Sequence, residues 1–99
     1  MYLSKQELID CAATPWTSGC NGGIIDDAFE YAIDKGGLCV DSEYPYLAIT
    51  GTCKTSQYQK YVPINSIFAV TPNDEEQLRL AVANQPVSAV IEADDPAFQ

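Results

Sequence analysis

Ser18-Gly19-Cys20-Asn21-Gly22-Gly23, followed directly by Ile24-Ile25-Asp26-Asp27-Ala28-Phe29, is the most informative segment of the chain. Two adjacent glycines beside a cysteine describe a pinned loop with bare backbone, suited to gripping an extended peptide through main-chain groups. Behind it, Ile25, Ala28, Phe29, Ala32 and Ile33 recur at steps of three and four. That period predicts a helix from about Ile24 to Lys35, with Asp26 and Asp27 complementing the dipole of its first turn and Gly36-Gly37 stopping it. Adjacent carboxylates on a helix point apart, so Asp26 and Asp27 are read as dipole partners rather than as an acid/base or metal pair.

Working outward toward the N-terminus, Ser4 with Glu7 three residues on reads as a capping box opening a helix from about Lys5 to Ala12. Trp16, between the two helices, reads as a loop anchor, with a recognition aromatic beside the glycine loop as the alternative. From Leu38 to Pro63 turn residues and tyrosines follow one another without a period. This predicts long irregular loops, with Tyr44 and Tyr46 packing against the helices. A loop of that length needs staples. Further on, Asn65–Val70 and Val87–Ala93 are β-rich and predict strands. Between them, Asn73 caps a helix that runs to about Asn84 and buries Leu78, Ala81 and Val82. The change of character near Asn65 predicts two parts, 1–64 and 65–99.

Composition narrows the function. Fourteen acidic side chains against five basic ones give a net charge of −9, which excludes a basic footprint for nucleic acid or anionic membrane. Apolar runs fall short of the roughly 20 residues that a membrane span needs. Ninety-nine residues bury only about 60 to 65% of their unfolded surface, so stability is expected to be marginal. The four cysteines, Cys11, Cys20, Cys39 and Cys53, allow three pairings, and spacing does not choose among them. With neither CxxC pairs nor histidine, disulfides fit better than a metal, which implies a secretory or vacuolar-lysosomal route, with buried free thiols in a cytosolic protein as the alternative. The chain contains no histidine, so cysteine–histidine chemistry cannot be completed within it.

Leu3-Ser4-Lys5-Gln6-Glu7-Leu8-Ile9-Asp10-Cys11, Gly19-Cys20-Asn21-Gly22-Gly23, Tyr44-Pro45-Tyr46 and Ala83-Asn84-Gln85-Pro86-Val87-Ser88, in that order, closely resemble the papain-like cysteine endopeptidases, the plant vacuolar and secreted members most of all. The resemblance implies a partial α+β fold: the rear of a helical domain with the cleft loop, then the first elements of a β-barrel-like domain. It implies a bridge between Cys11 and Cys53, and for Cys20 a partner that this sequence does not contain. Cys39 departs from the pattern and is either a free thiol or a partner for Cys20. The glycines matching Gly22 and Gly23 line the substrate cleft, with Asn21 beside them in the loop. Gly23 would make ladder contacts to the second residue before the scissile bond. Ile24, Ile25 and Val90 match positions around the pocket for that residue, and an aliphatic lining favours an apolar side chain there. For Ile25, which shares a face with Phe29, ordinary core packing is an equal reading.

The resemblance implies no catalytic residue, cofactor or metal within these residues. It implies an extended peptide or protein as partner, and cystatin-like or propeptide inhibitors for a complete enzyme. A non-catalytic peptide-binding protein and a disulfide-stabilised domain of unrelated role are the alternatives.

Overall fold

The computed structural model describes residues 1–99, which separate into two units, Met1–Ile67 and Phe68–Gln99. In the first unit, helix α1 spans Lys5–Cys11 and helix α2 spans Ile25–Lys35. Short 3-10 turns occupy Gly19–Asn21 and Thr55–Gln57. In the second unit, helix α3 spans Glu75–Asn84.

α1 starts where Ser4 caps it, its hydroxyl accepting from the Glu7 amide at 3.0 Å. The other half of the expected capping box is absent, because the Glu7 carboxylate turns away from Ser4. It accepts instead from the Cys39 amide at 2.6 Å, from the Tyr31 hydroxyl at 2.8 Å and from the Lys60 ammonium. The Ser4 amide is satisfied by the Cys39 carbonyl at 2.8 Å. A carboxylate that gathers three donors from remote segments is worth more to the fold than one closing its own helix turn.

That substitution is the organising feature of the unit. Gln6 and Glu7 are fully buried although both are polar, and the apolar core is small: Ala12, Ala32, Cys39 and Tyr44. The Gln6 side-chain amide donates to the Ile49 carbonyl at 2.7 Å and to Asp10 at 2.8 Å, and its oxygen accepts from the Leu47 amide at 2.8 Å. Asp10 accepts from the Gly51 amide at 2.8 Å and the Tyr44 hydroxyl at 2.7 Å. A loop without regular structure cannot satisfy its own backbone, and here a helix face satisfies it. The bridge expected between Cys11 and Cys53 is present and closes the same loop covalently. Isolated bridges pair Leu3 with Val40 and Leu38 with Tyr61.

Burial opposes ionisation of Glu7, yet the Lys60, Cys39 and Tyr31 donors together hold its carboxyl below the usual range. Asp10 is likewise lowered: burial works against it, and Tyr44, Gly51, Gln6 and the charge of Lys54 outweigh burial. The Cys39 thiol, buried beside the Glu7 carboxylate, is pushed up to about 11.

α2 follows the expected course, with Ile24 as the residue before its first turn and Gly36 closing it in the left-handed conformation. Several other expectations are corrected. α3 is capped by Asp74, whose side chain accepts from the Gln77 amide at 2.9 Å, while Asn73 takes a left-handed turn just before it. Leu78 and Val82 stand exposed rather than buried, at 42% and 55%, and Ala81 is half-buried. Neither Asn65–Val70 nor Val87–Ala93 forms a strand: no backbone bridge pairs a residue of either stretch with another segment. Tyr44 is buried as expected, but Tyr46 is exposed.

Candidate peptide-binding loop

The loop between α1 and α2 is built from hydroxyls and one carboxylate. Thr14 and Thr17 close a tight turn, pairing backbone to backbone at 3.0 and 3.3 Å. The Thr14 hydroxyl accepts from the amides of Trp16 and Thr17, each at 3.0 Å. Both threonine hydroxyls then donate to the same oxygen of Asp27, Thr17 at 2.6 Å and Thr14 at 2.7 Å. These two bonds hold the Asp27 carboxyl below its ordinary range. The Thr17 hydroxyl also accepts from the Ile24 amide at 3.1 Å, tying the turn to the residue that enters α2.

Trp16, at the tip of this turn, is 74% exposed and anchors nothing, which overturns the packing role expected of it. A tight turn with Pro15 and Trp16 at its apex points both away from the core.

Beyond the turn, the Ser18 amide donates to the Gly22 carbonyl at 2.9 Å, the Asn21 amide to the Ser18 carbonyl at 2.9 Å and the Cys20 amide to the Thr50 hydroxyl at 3.0 Å. The chain leaves this knot through Gly22 at φ 122°, a conformation that side chains resist, and nothing lies within 4 Å of where a Cβ would point. At Gly23 the constraint is contact: a Cβ would come 2.8 Å from the Thr17 methyl. Both glycines are exposed. The amide of Gly22 and both the amide and the carbonyl of Gly23 are free of hydrogen bonds to the rest of the chain.

Ile24 continues from Gly23 with extended backbone, φ −108° and ψ 133°, and is 45% exposed, while Ile25 is half-buried as the first residue of α2. Asn21 is exposed at the end of its 3-10 turn. Asn21, Gly22, Gly23 and Ile24 thus lie on one exposed loop that runs directly into Ile25 at the start of α2. Val90 belongs to the second unit, where it is 86% exposed. Cys20 is an exposed thiol and Cys39 a buried one, so the two do not pair.

Thr14, Thr17 and the second role of Asp27 escaped the sequence reading. The signal available was faint: two threonines spaced by three just before a glycine-rich turn, and a carboxylate one turn into the following helix.

The arrangement offers an open, extended edge of main chain beside an apolar side chain, held from behind by fixed hydrogen bonds. Residues 1–99 match the family described as Papain family cysteine protease, and the chain belongs to that family. Among its relatives, oryzain beta chain of Oryza sativa subsp. japonica is 46% identical over 98 residues, covering 98% of this chain and 21% of that protein. Vignain of Phaseolus vulgaris is 47% identical over 98 residues, covering 98% of this chain and 27% of that protein. The structure of the bromelain protease from Ananas comosus in complex with the inhibitor E-64 superposes with a TM-score of 0.90 at 36% identity, covering 99% of this chain and 44% of that one. The chain therefore has the fold of part of a papain-like α+β protease and spans about a fifth to a quarter of the length of these curated relatives. No helix is long and apolar enough to cross a membrane.

Proposed function

We propose that this chain is the substrate-gripping segment of a cysteine endopeptidase, in which Gly23 pairs its amide and carbonyl with an extended peptide and Gly22 flanks the next residue along. The observation that carries this reading is the exposed Gly22–Gly23 edge, on which the amide and carbonyl of Gly23 are unengaged. Such an edge accepts a peptide as an added strand, and the absent side chains let it approach. Ile24 presents an apolar wall to the side chain of the second residue before the scissile bond. The preference there is Leu, Val or Phe, since a charged side chain would lose water without gaining a partner.

Bond cleavage in the complete enzyme belongs to a thiolate activated by an imidazole, with amide donors on the oxyanion. This chain has no histidine, and none of its four cysteines takes the nucleophile's part. Its contribution is alignment, which supplies several kcal/mol of rate advantage when the carbonyl is held against the nucleophile. Alone, the chain hydrolyses nothing. A vacuolar or secreted location is supported by the Cys11–Cys53 bridge, which persists in oxidising compartments.

The test is a titration of the ¹⁵N-labelled chain with acetyl-leucyl-phenylalanyl-glycinamide. The reading requires the Gly22 and Gly23 amides to shift first. Gly23→Ala abolishes the shift, because its methyl would meet Thr17. A peptide with Arg in place of phenylalanine binds more weakly. Shifts scattered over the surface, or equal affinity for the Arg peptide, defeat the proposal.

A further inference from the structure

The open edge at Gly23 has no internal hydrogen bonds to hold it in register, so something behind it must. The bonds available there run in one direction only. Backbone amides can only donate, so the Thr17 hydroxyl accepts from Ile24 and the Thr14 hydroxyl accepts from Trp16 and Thr17. Each hydroxyl must then spend its single proton on another acceptor, and both spend it on one oxygen of Asp27. Remove that acceptor and the hydroxyls are free to rotate, losing the lone pair aimed at the Ile24 amide. The Thr17 methyl, fixed by the same bonds, lies where any side chain at Gly23 would be.

We propose that Asp27 is a positioning residue for substrate: through Thr14 and Thr17 it locks the main chain at Gly23–Ile24 in the register that an extended peptide requires. The inference rests on the gripping role given to Gly23 above. Asp27 touches no substrate, and its effect is to remove the ordering cost that a slack edge would impose on each binding event. Its neighbour Asp26 is exposed and makes no side-chain hydrogen bond, so the two carboxylates of one helix turn have different work.

The experiment compares peptide affinity, read from the Gly23 amide in the full ¹⁵N-labelled chain, across four variants with acetyl-leucyl-phenylalanyl-glycinamide as probe. Thr17→Val keeps the shape and removes the hydroxyl, and Asp27→Ala removes the acceptor. Each weakens binding about tenfold, the scale of one oriented hydrogen bond. Thr17→Ser restores the hydroxyl, and it stays within about twofold of the unsubstituted chain, as does Asp26→Ala. Rescue by serine is what separates orientation from bulk packing. Unchanged affinity in Thr17→Val and Asp27→Ala overturns the positioning role and leaves the gripping role standing. No Gly23 shift in the unsubstituted chain overturns both. Should a variant fail to fold, amide exchange in the unsubstituted chain decides: the Ile24 amide must exchange at least about tenfold more slowly than that of Gly23. Equal rates overturn the proposal.

Discussion

Glu7→Gln tests the buried polar centre most directly. The carboxylate is fully buried, and the Lys60 side chain opposite it is 19% exposed. Glutamine keeps an oxygen for the Cys39 amide but turns an N–H₂ group toward an ammonium that can only donate. Breaking a buried ion pair by removing one partner costs roughly 3–5 kcal/mol. Lys60 can swing its ammonium to nearby water, so the cost falls just below that range, to about 2–3 kcal/mol. A chain of this size holds only about 5–15 kcal/mol in all. At roughly 4–8 °C per kcal/mol, the midpoint of thermal unfolding falls by about 10–20 °C. The pH dependence adds a second check. Because the folded carboxyl lies below its ordinary 4.5, the unfolded chain takes up the proton first as pH drops. The contribution of Glu7 is therefore complete above that value and is lost as pH falls through the folded value. The gap between the original chain and Glu7→Gln, wide at neutral pH, must narrow on acidification. Circular dichroism melts between pH 7 and pH 3 measure both. A midpoint within about 3 °C of the original at neutral pH would refute the argument.

Tyr44→Phe removes the hydroxyl that donates to Asp10 and accepts from the Lys54 amide at 3.1 Å, and the urea midpoint should report a loss of about 1.5–3 kcal/mol. Replacing Cys11 and Cys53 by alanine opens a loop with a sequence separation of 42, worth about 4 kcal/mol in the chain-entropy account, again read from denaturant unfolding. With an aromatic disulfide reagent at neutral pH, the folded chain should release one thiol equivalent promptly, from exposed Cys20. The second, from buried Cys39 with its thiol raised to about 11, should appear only on unfolding.

What the sequence disclosed follows from the range of the forces involved. α2 was legible because its apolar period, its acidic first turn and Gly36 all lie within a dozen residues, and α1 because Ser4 caps it locally. The second half of Glu7's behaviour was not. Its partners Tyr31, Cys39 and Lys60 are distant in sequence, and nothing periodic announces them. Gln6 and Asp10 were silent for the same reason: nothing in the spacing of polar residues on a short helix announces that they serve the backbone of a distant loop. The cap of α3 slipped by one position because Asn73 and Asp74 are both capable caps, and only the left-handed backbone at Asn73 separates them. The two expected strands failed for a different reason. A strand is a property of two segments, and β-rich composition in one says nothing of a partner. At the candidate loop, the glycine pair was visible through its resemblance to a known family, whereas the Thr14–Thr17–Asp27 contacts depend on side-chain directions that no spacing rule encodes.

The grip of α1 on the following loop also sets where this protein tolerates changes of length. Main-chain groups at Cys39, Tyr44, Leu47, Ile49 and Gly51 are each held by Ser4, Gln6, Glu7 or Asp10, and Cys53 is held covalently. An inserted residue anywhere along that ruler shifts every later mark off its peg. Past the Lys54 amide no further main-chain group is pinned by a remote side chain before Lys60 joins Glu7, and Ser56 and Gln57, both exposed, lie in between. Insertions, affinity tags and natural length variation are best accommodated there.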